Sequence, residues 1–154
     1  MSQRGGDVHS HFRLSDSPVA SDLIPLGHAD IIISVEPMEA LRHLPWLAKK
    51  GWIITNSEPF ININGYPDVD SILDEIGKIK NNIIVNADRI AKEAGSVRTG
   101  NIVTLGAASP FINIPYESLE NGIRQLFGRK GKEIVEMNLR AMKAGRDFTE
   151  KKIL

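Results

Sequence analysis

Three apolar runs punctuate the first half of the chain, and each leads into a stretch with helical spacing. Residues 31–37, Ile-Ile-Ile-Ser-Val-Glu-Pro, form a β-branched run ending in a carboxylate and a proline. Such a run reads as a buried strand passing into a helix, because proline in a first helical turn gives up only an N–H that had no partner there. Residues 52–56, entered through Gly51, and residues 82–86 repeat the signature. Between the runs, Leu41, Leu44 and Ala48 predict a helix over 37–50, which Pro45 should kink or end. Val69, Ile72, Leu73, Ile76 and Ile79 form a second apolar stripe behind Asp68, a capping residue, and residues 87–94 form a third helix with Gly95 beyond its end. Strand and helix alternating three times is the pattern of a parallel α/β sheet.

The flanks are different in kind. Residues 7–14 alternate, with Val8, Ser10, Phe12 and Leu14 on one face and Asp7, His9, His11 and Arg13 on the other, which predicts a half-buried strand. Residues 15–28 and 57–67 are rich in proline, glycine and small polar residues and read as loops, the second lying on the ligand-bearing edge of the sheet. From residue 101 the chain reads as helical. Residues 101–109 are apolar nearly all round and small, suiting a fully buried helix approached closely at Gly100 and Gly106. Residues 116–127 and 132–143 predict two more helices with 128–131 as the hinge. Asn138 shares an apolar face with Ile134, Val135 and Met142 and so needs a partner. Residues 146–154 are charged and are expected to trail towards a partner. The predicted class is α/β: a three-layer, Rossmann-like, mostly parallel sheet with helices on both faces and a helical C-terminal third, in one domain over residues 1–154.

Composition removes several functions. Nineteen Lys and Arg balance nineteen Asp and Glu, so no general field draws nucleic acid or an anionic membrane. No cysteine is present, which excludes disulfides, thiolate catalysis and cysteine-held clusters within these residues. No apolar run approaches the ~20 residues of a membrane span, and a cytoplasmic location is expected. Glu36, at the carboxyl end of a strand read as central, lies where open α/β sheets bind ligands, with a helix-capping carboxylate as its plain alternative. Arg4-Gly5-Gly6 offers a cation and a backbone able to approach a ligand. His9 and His11, two apart behind Asp7, resemble the Asp-x-His-x-His opening of metal-dependent hydrolases. Only His28 and His43 remain as further histidines, in no ligand spacing, so histidines facing a groove or a partner are the better reading.

Four motifs in register are more specific. Ser-Gln-Arg-Gly-Gly-Asp-Val-x-Ser-His-x-Arg at 2–13, Ala-Asp-Ile-Ile-Ile-Ser-Val-Glu-Pro-Met-Glu-Ala-Leu-Arg at 29–42, Asn-Ile-Val-Thr-Leu-Gly-Ala at 101–107 and Glu-Met-Asn-Leu-x-Ala-x-x-x-Gly at 136–145 follow one another. Together they resemble the gamma-type subunit or fused domain of the 2-oxoacid:ferredoxin oxidoreductases, most nearly the indolepyruvate branch. Members of that family begin with a strand, a glycine-rich loop and a helix, and this chain starts just after them.

The resemblance implies a non-catalytic component of a multi-subunit enzyme that decarboxylates a 2-oxoacid oxidatively to an acyl-coenzyme A. Thiamine diphosphate and iron–sulfur clusters would lie on partner subunits, ferredoxin would be met indirectly, and coenzyme A would be contacted here. Carried over by position, Arg4 faces a phosphate, Gly5 and Gly6 supply the close backbone, and Ser10, His11 and Arg13 form the polar edge nearby. Glu36 and Asn101 complete the expected cofactor contacts. No catalytic residue and no metal ligand is expected, the isolated chain should be inactive, and self-association should cover its apolar surface. The rival reading is a stand-alone nucleotide-binding module with no redox partner.

Overall fold

A computed structural model describes residues 8–61 and 64–153. Its centre is a three-stranded parallel sheet in the order β1 (Ala29–Ser34), β2 (Leu47–Asn56), β3 (Asn82–Val85). Ile31 to Ser34 pair with Trp52 to Thr55, and Ile53 to Asn56 pair with Asn82 to Val85. Helix α1 (Pro37–Arg42) joins β1 to β2, and α2 (Val69–Gly77) joins β2 to β3. The chain then continues through α3 (Ala87–Ala94), α4 (Gly100–Ala108), α5 (Tyr116–Phe127) and α6 (Lys132–Ile153).

The alternation of side chains along the strands splits the core into two layers. One face of the sheet buries Ile53 with Ala40 of α1 and Ile72 and Ile76 of α2. The other buries Ile54, Ile83 and Val85 against α3, α4 and α6, with Trp52 stacked on Phe111 at a ring separation of 3.8 Å. The three-layer α/β arrangement with a helical C-terminal part is thus as the sequence implies. Asp68 caps α2 by accepting the Ser71 N–H at 2.9 Å, and the positive φ of 122° at Gly95 lets the chain turn out of α3.

Four expectations need correction. Residues 8–14 form no strand: among the described residues β1 pairs only with β2, so no neighbouring strand accepts the ladder their alternation was suited to. The helix predicted over 37–50 ends at Arg42, a short turn holds Pro45, and β2 already begins at Leu47. Pro45 has no N–H to continue a helix, and Gly51 lies so close to the Ala29 carbonyl that a Cβ would stand 2.8 Å from it, which keeps this stretch on the sheet. Among the described residues the strand before Glu36 is an edge strand, and β2 is the central one. Finally, residues 146–153 do not trail away but continue α6. Thr149 is fully buried there and donates its hydroxyl to the Ala107 carbonyl at 2.9 Å, while Arg146 covers the Tyr116 ring.

Candidate strand-end site

All three strands end at one edge, and each ends the same way. Ser34-Val35-Glu36, Asn56-Ser57-Glu58 and Asn86-Ala87-Asp88 repeat a polar residue, a spacer and an acid. The reason is local. A strand that hands its chain to a helix or a turn leaves N–H groups unpaired, and short polar side chains and carboxylates satisfy them. Glu36 Oε2 accepts the Glu39 N–H at 2.8 Å and so caps α1. Asn86 Oδ1 caps α3 by accepting the Arg89 N–H at 2.9 Å, while its amide donates to Glu58 Oε1 at 2.8 Å. Asn56, buried, accepts the Ala87 N–H at 2.9 Å and donates to the Glu58 carbonyl.

The second oxygen of Glu36 accepts the hydroxyl of Tyr66. This ties the loop after β2 to the start of α1, across the end of the sheet. Burial first, then the hydrogen bond to Glu36 and its charge, push the Tyr66 phenol above its ordinary value. Tyr66 therefore stays protonated and donating throughout the neutral range. Neither Tyr66 nor the pair Asn56 and Asn86 was singled out from the sequence, although the repeated polar-x-acid signature at each strand end could have found the asparagines.

Asn101 is exposed in the first turn of α4. Gly100, just before it, lies beside Asp88, whose carboxylate a Cβ would meet at 3.2 Å, so Asn101 belongs to the β3 end of the edge and Glu36 to the β1 end. The groups whose hydrogen bonds define this edge are amides, hydroxyls and carboxylates. They suit the hydroxyl and amide groups of a ligand. They do not suit a diphosphate, which needs cations or free N–H groups.

Ser10 and His11 lie elsewhere, beside β1, and Arg13 lies against the loop before it. The His11 ring nitrogen Nδ1 accepts the Ile24 N–H at 2.8 Å, and Arg13 donates to the Ser21 carbonyl at 2.6 Å. Both therefore hold the loop before β1. Ser10 and His11 line a cleft of about 230 Å³ with Ile31 to Ser34, His43 and Trp46. His9 also lines it, with its ring 4.9 Å from that of His43. Among the described residues no group of three or more His, Asp or Glu is arranged to hold a metal ion. Arg4, Gly5 and Gly6 lie outside the described residues. Among those described, no helix is long and apolar enough to cross a membrane.

Comparison with known proteins agrees with the motifs. The family described as pyruvate ferredoxin/flavodoxin oxidoreductase matches residues 1–148. The chain is 39% identical to the indolepyruvate oxidoreductase subunit IorB of Archaeoglobus fulgidus, over 94% of this chain and 74% of that one. It is 33% identical to IorB of Methanothermobacter thermautotrophicus, over 94% of this chain and 76% of that one. A 2-oxoglutarate:ferredoxin oxidoreductase from Magnetococcus marinus, solved with 2-oxoglutarate, coenzyme A and succinyl-CoA bound, has the same fold over 86% of this chain, at a TM-score of 0.58 and 22% identity. The chain spans 22% of that much longer polypeptide. With the match running almost end to end, and the α/β architecture in agreement, this chain belongs to the pyruvate ferredoxin/flavodoxin oxidoreductase family.

Proposed function

We propose that the chain serves as a non-catalytic subunit of a 2-oxoacid:ferredoxin oxidoreductase, contributing assembly surface and coenzyme A contacts. The substrate of the whole enzyme is then indolepyruvate or another aryl pyruvate. The observation that carries this reading is the similarity over 94% of the chain to subunits of indolepyruvate oxidoreductases. In the reaction the bond between the carboxylate and the 2-carbon breaks, carbon dioxide leaves, the acyl group passes to the coenzyme A thiol, and the released electron pair passes to ferredoxin. Thiamine diphosphate, which stabilises the carbanion left by decarboxylation, and the iron–sulfur clusters belong to partner chains. The absence of cysteine from these residues agrees with that division.

The described residues fit coenzyme A in part. Glu36, Tyr66 and Asn101 present hydrogen-bonding groups along the strand-end edge, as the hydroxyl and amide groups of such a ligand require. The phosphates are assigned to Arg4 with the backbone of Gly5 and Gly6, a cation beside a chain able to come close.

Purification of the tagged full-length chain from its own host tests the reading. A large partner carrying thiamine diphosphate and iron should come with it, and the complex should bind coenzyme A with an affinity that falls at least tenfold on Arg4→Ala. Recovery as a lone chain without thiamine or iron would overturn the subunit assignment. A complex whose coenzyme A affinity is unchanged by Arg4→Ala would overturn only the contact.

A further inference from the structure

The stretch from His11 to Ile24 is a loop without helix or strand, and side chains at its base hold it shut. His11 Nδ1 accepts the Ile24 N–H at 2.8 Å, thirteen residues along the chain. Arg13 Nη1 donates to the Ser21 carbonyl at 2.6 Å and to that of Leu23 at 3.4 Å. A guanidinium keeps its protons at any ordinary pH, so the Arg13 bonds persist. The His11 bond is different. Its donor is a backbone N–H, which requires Nδ1 to be the bare nitrogen of a neutral ring whose proton sits on Nε2. Protonation makes both ring nitrogens donors and sets two N–H groups against each other at hydrogen-bond distance.

The cleft around His11 adds to that effect. The His9 ring lies 5.6 Å from that of His11 and 4.9 Å from that of His43, and the Trp46 ring stands within 6.4 Å of all three. Glu39 lines the same cleft with its Oε1 3.2 Å from Arg42, and β1 contributes Ile31 to Ser34, none of them charged. Arg13 and Asp22 are the charged residues beside the bond along the chain. Among the described residues, three imidazoles thus share the cleft with one lining carboxylate, itself paired with Arg42. Charging the rings therefore adds repulsion between like charges to the lost hydrogen bond.

We propose that His11 is a pH-sensitive clasp: neutral, it closes the loop over residues 12–23, and protonated, it releases that loop. Only the deprotonated ring accepts the Ile24 N–H, so closure is present above the ordinary imidazole value of about 6.5 and is lost as pH falls below it. Release stays local. Gly27 donates to the Pro45 carbonyl at 2.9 Å and so anchors the chain before β1 independently of His11. The clasp decides how Phe12, Leu14 and Leu23, exposed apolar side chains carried by the loop, are presented. They stand on a closed loop at neutral pH and on a slack one in acid.

Amide exchange of the full chain, followed by mass spectrometry at about pH 8 and about pH 5.5 and corrected for the intrinsic rate at each, tests the clasp. Protection over residues 21–26 should fall at least tenfold at the lower pH while β3 is unchanged. His11→Asn places an amide oxygen where Nδ1 stands and accepts at both pH values, so its protection should be the same at both. His11→Ala should leave the loop open throughout. A parent whose protection does not change would overturn the proposal. So would an equal fall in His11→Asn, which would assign the response to His9, His43 or Glu39, and a parallel loss at β3, which would mark general unfolding.

Discussion

The crossing of α4 and α6 and the bare side of β1 are opposite extremes of packing in one small protein. At the crossing the two backbones touch. A Cβ on Gly106 would stand 2.0 Å from the Met142 carbonyl oxygen, and one on Gly145 would stand 2.0 Å from that of Val103. Val103, Ala107, Ala108, Ala141 and Met142 are fully buried around it. Along β1 and residues 8–14, by contrast, Val8, Phe12, Leu14, Ile33 and Val35 are all exposed. Both regions are apolar in sequence. Apolar character thus decides that a segment seeks cover, and the presence of a complementary partner decides whether it finds any.

Substitutions should grade with that contrast. The largest effect is expected at the crossing: Gly106→Ala or Gly145→Ala forces a methyl into a backbone oxygen and should cost at least about 3 kcal/mol in a urea titration, with loss of folding an acceptable outcome. A loss below 1 kcal/mol would mean that the helices stand further apart than described. Next comes Trp52→Leu, which removes the stack on Phe111 and should cost about 2 kcal/mol by the same measurement, from lost burial and the aromatic pairing itself.

A smaller effect is expected at the strand-end edge. Tyr66→Phe removes the hydroxyl that Glu36 accepts and should cost about 1 kcal/mol at neutral pH. Its sign with pH follows from the raised phenol. The folded state holds the proton more tightly than the unfolded chain, so the contribution is complete below pH 10 and is lost as pH rises above it. The parent should therefore lose stability above pH 10 faster than Tyr66→Phe, and equal slopes would place Tyr66 away from Glu36. The smallest effect is predicted for Phe12→Ser. Phe12 is 72% exposed, so the change should stay within about 0.5 kcal/mol in the chain alone.

Legibility followed how local each determinant is. Asp68 capping α2, Gly95 ending α3 and the stripe that buries Ile72 and Ile76 are read from neighbours within a few residues, and the structure places all of them as expected. The helix through Pro45 was overextended because Leu44 and Ala48 fit a helical period by chance, while the choice of strand from Leu47 depends on β1 lying alongside. Asn138 needed a partner and found one within α6, donating to the Ile134 carbonyl at 2.7 Å. At the strand-end edge, the capping role of Glu36 was readable, but its bond to Tyr66 spans thirty residues and depends on how the loop after β2 returns.

By itself the sequence determined the alternation of strand and helix, the buried character of α4, and four motifs whose order points to one family. These depend on spacing, turn residues and residue identity, which chain neighbours settle. Only the tertiary structure decided that, among the described residues, β1 is an edge and residues 8–14 stay outside the sheet, and that the charged end of α6 docks through Thr149 onto Ala107. The physical reason is the same in each case. A segment's pattern states what kind of partner it requires, and whether that partner is present depends on surfaces brought together from distant parts of the chain.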